Sequence, residues 1–156
     1  MERCEQGAAV YLRRNGQLLV LAQSRASNGL LGGHGKFAKL QIDETDEAIG
    51  AALRARLEDR KPGFYHPHMH REKEAFQAVM AEYRKDRGVE SDKAFFKGTR
   101  IVSVSVYADR IEFRSADNTG PTAPWIEDPP PLQIAPVASD LELGSALRRA
   151  LDVAKA

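Results

Sequence analysis

Two stretches of this chain repeat one another, and the repetition restricts the available folds more than any other feature. Leu40-Gln41-Ile42, Asp46, Gly50, Ala52-Leu53-Arg54 and Leu57 recur in the same order as Leu132-Gln133-Ile134, Asp140, Gly144, Ala146-Leu147-Arg148 and Leu151. The second copy has two extra residues before its helix. In both copies a short apolar run of strand type gives way to apolar positions at helical spacing. Each copy also follows a hairpin pattern. Residues 8–12 and 18–22 are joined through Asn15-Gly16, a pair that tolerates a tight turn, and residues 101–107 and 111–114 are joined through Asp109-Arg110. The order of hairpin, long loop, strand and helix therefore predicts an internal duplication, with halves at 8–58 and 101–152.

Each of these helices has a single apolar stripe, and a sheet face is the surface available to bury it. The expected fold class is α+β: one mostly antiparallel sheet flanked by helices, with Gly50 and Gly144 at equivalent sites. The period is too long and the copies too few for a solenoid. A length of 156 residues fits a single domain spanning 1–156.

Between the copies, Ala75, Phe76, Val79, Met80 and Tyr83 predict a further helix that ends at Gly88. Residues 115–131 form a 17-residue segment with five prolines and no strand or helix pattern. Ser139-Asp140-Leu141-Glu142 matches a capping box that opens the last helix.

Composition excludes several classes. Hydrophobic residues make up 42% and charged residues 29%, the balance of an ordinary folded chain rather than a disordered or fibrous one. A formal net charge of +1 argues against a protein that coats nucleic acid or a membrane surface. Cys4 is the only cysteine, so there is neither a disulfide framework nor a cysteine-based zinc site. No run approaches the length of a membrane span, and Glu2, Arg3 and Glu5 stand where a signal peptide would place its basic and apolar regions. The expected location is the cytoplasm.

Chemistry-bearing motifs are sparse. His66, His68 and His70 alternate, which could bring imidazoles to one side of an extended segment as ligands for zinc, nickel or copper. No carboxylate or thiol lies within the run, so a structural turn is the expected role and no metal is assigned. Gly29 to Phe37 is rich in glycine but fails as a phosphate-binding loop, because Phe37 stands where a hydroxyl would hold Mg²⁺; a flexible loop is expected. Asp43, Glu44, Asp46 and Glu47 gather where a helix begins, a position that favours negative side chains without any catalytic purpose. Cys4 reads as a bystander thiol in a mobile terminus. Ten basic residues fall between Arg60 and Arg100 and mostly decorate a helix, so nucleic acid is not an expected partner. From Ser115 to Leu147 there is no Lys or Arg, while Asp117, Glu127, Asp128, Asp140 and Glu142 supply five acids, and the lone Trp125 stands among them.

Phe95-Phe96-Lys97-Gly98, the alternating strand after it, its return at Ile111 to Phe113, and Ser139-Asp140 followed by Leu143-Gly144, Ala146-Leu147 and Ala150-Leu151 resemble the immunity proteins of bacterial contact-dependent growth inhibition systems. The likeness extends more weakly to the first copy between Asp46 and Leu57. It implies a small inhibitor that binds the C-terminal domain of a toxin, often a nuclease, with no catalytic residues and no cofactor. The residues that carry it are capping, turn and core positions, so it transfers no site.

The expected function is thus toxin neutralisation by binding a cognate toxin C-terminal domain, and the chain is not expected to be an enzyme. The expected contact surface is the segment 117–128, with Asp117, Trp125, Glu127 and Asp128 as partner-binding residues. Long loops without secondary structure are usually functional or disordered, and the prolines here limit freedom. The alternative for this segment is that Trp125 folds back onto the sheet as core and the acids keep the loop soluble. A small RNA-binding protein using the basic middle segment and a metal-dependent hydrolase using the histidine run are the rival readings.

Overall fold

The computed structural model describes residues 2–88 and 91–156. Six strands form one sheet: β1 (Gln6–Leu12), β2 (Gln17–Arg25), β3 (Leu31–Gln41), β4 (Arg100–Val106), β5 (Ile111–Ser115) and β6 (Leu132–Ile134). The order across it is β3-β2-β1-β4-β5-β6, and every pairing is antiparallel. The first three strands run outward from the middle in one direction and the last three in the other. β1 and β4 form the central pair, matched over their whole length from Gln6↔Val106 to Leu12↔Arg100.

The period of two sorts the side chains. Ala8, Val10, Leu18, Val20, Val102, Val104, Ile111 and Phe113 face α1 (Asp46–Glu58) and α4 (Asp140–Val153) in the main core. Leu19, Leu21, Tyr11 and Phe37 face the other way and form a smaller cluster with Phe95 and Phe96 of α3 (Asp92–Phe96) and Tyr83 of α2 (Lys73–Arg87). Side chains start and stop the helices. Thr45 and Ser139 accept hydrogen bonds from the Ala48 and Glu142 amides, and Gly88 ends α2 with φ of 76°.

α1 and α4 cross with their backbones in contact. A Cβ on Gly50 would collide with the carbonyl of Asp140, and one on Gly144 with that of Asp46. The flanking charges are reciprocal too: Arg54 Nε donates to Asp140 at 2.6 Å, and Arg148 Nε to Asp46 at 2.7 Å. Arg54 also reaches the Ala138 carbonyl, and Arg148 those of Ile42 and Glu44. Gly50 and Gly144 thus occupy corresponding places.

Two expectations change. The glycine-rich stretch is not a loop but most of β3, which runs from Leu31 rather than Leu40. Its glycines admit neighbours: Leu21 occupies the space a Gly33 side chain would take, and the Phe64 ring lies against Gly32. Gly35, at φ of 73°, sits in the bulge that breaks the register between Val20 and Ala22. Cys4 is buried, not loose in a mobile terminus, with its thiol donating to the Gln6 carbonyl at 3.0 Å. The hairpin through Asn15-Gly16 forms between β1 and β2: Gly16 has positive φ, Asn15 Oδ1 accepts from the Gln17 amide, and the Gly16 amide donates to the Arg13 carbonyl.

Candidate functional site

Residues 116–131 leave β5 and return to β6 as a loop held by backbone pairing at its base. Ala116 bridges to Trp125, the Asp117 amide donates to the Pro124 carbonyl at 2.9 Å, and the Ile126 amide to the Ser115 carbonyl at 2.8 Å. Asn118 ties the same base to the sheet, since its Nδ2 donates to the Phe96 and Thr99 carbonyls.

Trp125 is 41% exposed, and the Arg114 guanidinium lies 5.5 Å from its ring centroid. The side chain is therefore positioned from behind yet open to contact, and it does not join the core. Glu127 and Asp128 are exposed and form no ion pair among the described residues. Asp117 differs from them. Its carboxylate accepts from both the Thr119 hydroxyl (2.5 Å) and the Thr119 amide (3.1 Å), which pulls its pKa below the usual range with help from Lys155. Asp117 shapes the turn, whereas Trp125, Glu127 and Asp128 present free surface.

On the other side of the loop, Ile126 and Pro129 to Pro131 form one wall of a groove of about 530 Å³ whose opposite wall is Ala150 and Val153 of α4. Arg149 and Asp152 stand at this groove, and Phe113 and Leu132 floor it. Arg114 lies on the opposite face of β5 from Phe113, so the loop carries one large side chain, Trp125 or Ile126, to each side of the sheet edge.

Of the three histidines in the run, His68 and His70 stay together, their ring centroids 6.0 Å apart. His66 packs edge-on between the Phe64 and Phe76 rings, while His68 Nδ1 accepts the His70 and Arg71 amides in the turn that leads to α2. Among the described residues, no three His, Cys, Asp or Glu side chains gather as a metal site. Two of the acids around the start of α1 make structural contacts: Glu44 accepts from the Gln41 amide, and Asp46 pairs with Arg148.

Sequence reasoning missed a buried polar cluster of Gln6, Ser24 and His34. Gln6 Nε2 donates to the Asp59 carbonyl at 3.1 Å, which turns its Oε1 toward Ser24; the Ser24 hydroxyl gives it its proton at 2.6 Å. Ser24 Oγ must then accept from His34 Nε2, 2.8 Å away, so His34 carries its proton on Nε2. The other nitrogen, Nδ1, is buried without a partner among the described residues. Every proton in this cluster is committed to a structural bond, so it is not a nucleophile and base.

The model of the CdiI family, described as the CDI immunity protein, matches residues 9–154. Among solved structures, a chain of the CdiA-CT/CdiI toxin and immunity complex from Yersinia pseudotuberculosis superposes with a TM-score of 0.76, at 15% identity over 99% of this chain and 100% of that one. A Neisseria meningitidis protein of unknown function superposes with a TM-score of 0.72, at 14% identity over 99% of both chains. No curated protein matches by sequence. Likeness at these identities establishes the shared fold, and the family match spans nearly the whole sheet and both helices of the main core. The chain belongs to the CDI immunity protein family.

Proposed function

We propose that this immunity protein acts in the cytoplasm by binding the C-terminal domain of its cognate toxin through the segment 117–128, and that this toxin is a nuclease. The observation that carries the reading is the family match over residues 9–154. A complex of toxin with immunity protein among the structural relatives supports a toxin domain as the partner. Among the described residues, no helix is long and apolar enough to cross a membrane.

Trp125 is the anchor in this proposal. Its backbone is paired and its ring rests on Arg114, so little conformational freedom is lost when a partner covers it. Glu127 and Asp128 supply charge. A nuclease holds phosphates with Lys and Arg, and unpaired carboxylates facing that basic cleft complement it and speed encounter. Asp117 enters as the residue that sets the turn.

The test is a variant carrying Trp125→Ala, Glu127→Lys and Asp128→Lys, checked for folding by circular dichroism. We expect a loss of about 2 kcal/mol or more, roughly thirtyfold in affinity, with loss of protection in cells that express the toxin. Parental affinity in the folded variant places the interface elsewhere.

A further inference from the structure

The backbone leaves α4 in an extended conformation. The Ala154 amide makes the last helical bond, to the Ala150 carbonyl, and Ala154 itself has φ of −59° and ψ of 145°. The chain then runs along the base of the 116–131 loop. Lys155 lies parallel to Asp117: its amide donates to the Ala116 carbonyl at 3.0 Å, and its carbonyl accepts from the Asn118 amide at 2.8 Å.

Lys155 takes up the pairing where β4 leaves off. The Ala116 amide still donates to the Ile101 carbonyl of β4, whereas the Ala116 carbonyl already belongs to Lys155. On the opposite edge of 115–118, the Ser115 carbonyl accepts from Ile126 and the Asp117 amide donates to Pro124. Residues 115–118 are thus the middle of three extended segments, with 124–126 on one side and Lys155 on the other. Ala116 and Ala154 are only 1% and 3% exposed, so water does not readily replace a bond lost at this junction. The Lys155 side chain is exposed, which leaves the fastening to its main chain. Trp125 bridges to Ala116, the residue whose carbonyl Lys155 holds. Through this strap the end of α4 sets the placement of Trp125.

We propose, on the reading that 117–128 is the contact surface, that Lys155 is a positioning residue for toxin binding: its main chain straps that segment to α4 and holds Trp125 ready for the partner. A segment fixed beforehand loses less freedom on binding. Lys155→Pro removes the amide donor, and Ala154 already has the extended backbone that a following proline requires. Lys155→Ala keeps the donor. In Lys155→Pro we expect the Asn118 amide to exchange about tenfold faster, acrylamide to quench Trp125 more strongly, and the cognate toxin domain to bind about fivefold more weakly. Circular dichroism should be unchanged, and Lys155→Ala should match the parent in every readout. A chain ending at Ala154 loses the same strap without a proline ring and should behave as Lys155→Pro does. Parental exchange and quenching in both strapless variants overturn the proposal, as does equal weakening of binding by Lys155→Ala. So does parental toxin affinity in strapless variants whose loop has loosened, where Trp125→Ala weakens binding. Parental affinity in Trp125→Ala itself marks instead the failure of the contact surface, and the proposal falls with it.

Discussion

Gly50 and Gly144 set how closely α1 and α4 approach, because each receives a backbone carbonyl of the opposite helix where a side chain would stand. A carbonyl cannot rotate away as a long side chain can. Gly144→Ala must therefore push the helices apart, and we expect a cost of about 3 kcal/mol in denaturant unfolding, with a similar cost for Gly50→Ala. Unchanged midpoints in both variants contradict the close crossing. His34 is the other residue with a measurable signature. Burial pushes its pKa down, Asp59 opposes this, and Lys61 and Arg56 reinforce it. A second proton would have to sit on the partnerless Nδ1. The unfolded chain, with its imidazole near 6.5, takes up that proton first, so stability falls as pH drops below about 6.5. Stability measured at neutral and acidic pH should show a smaller loss in His34→Gln than in the parent; equal slopes contradict this assignment.

At the scale of elements, α2 stands apart. None of its residues is fully buried, and it is fastened to β3 by a few polar contacts: Tyr83 to the Gly33 carbonyl at 2.5 Å, and Asp86 to the Phe37 amide at 2.7 Å and Lys39 at 3.5 Å. Arg87 adds a stack on the Phe95 ring at 4.4 Å. An element with so little apolar burial opens at low cost. We expect α2 amides to exchange with solvent well before those of α1, α4 and the central strands, and Tyr83→Phe with Asp86→Ala to hasten exchange in α2 without altering β1 or β4. Protection of α2 equal to that of α4 contradicts this. The helix itself was legible from its apolar spacing and from Gly88, but its loose seating was not, because amphipathicity reports a stripe and not the depth to which it sinks.

The whole molecule is read most economically as one cooperative unit of residues 1–156, and we propose it as such. β1 pairs with β4 along its length, and α1 crosses α4 at the two glycines, so neither half opens without stripping the core of the other. Circular dichroism and Trp125 fluorescence should report the same unfolding midpoint; separate transitions would divide the chain into two domains. We also propose that the halves 8–58 and 101–152 descend from one unit, as the mirrored strand order and the reciprocal Arg54–Asp140 and Arg148–Asp46 pairs suggest. A superposition that fails to align β1–β2–β3–α1 with β4–β5–β6–α4 rejects that descent.

Features legible from the chain alone are local ones. The alternating strands, the turn at Gly16, the cap at Ser139 and the apolar stripes of α1 and α4 all depend on residues within a few positions of one another, and all are present. Composition marks 117–128 as a candidate surface, whereas the exposure of Trp125 depends on its pairing with Ala116 and its seat on Arg114, which local pattern does not carry. Tertiary structure alone decided the rest. β3 is a strand because Leu21 and Phe64 fill the places its glycines leave empty, and His34 acquires its single tautomer from Gln6 and Ser24. Such contacts join residues far apart along the chain, where no local period or propensity carries a signal.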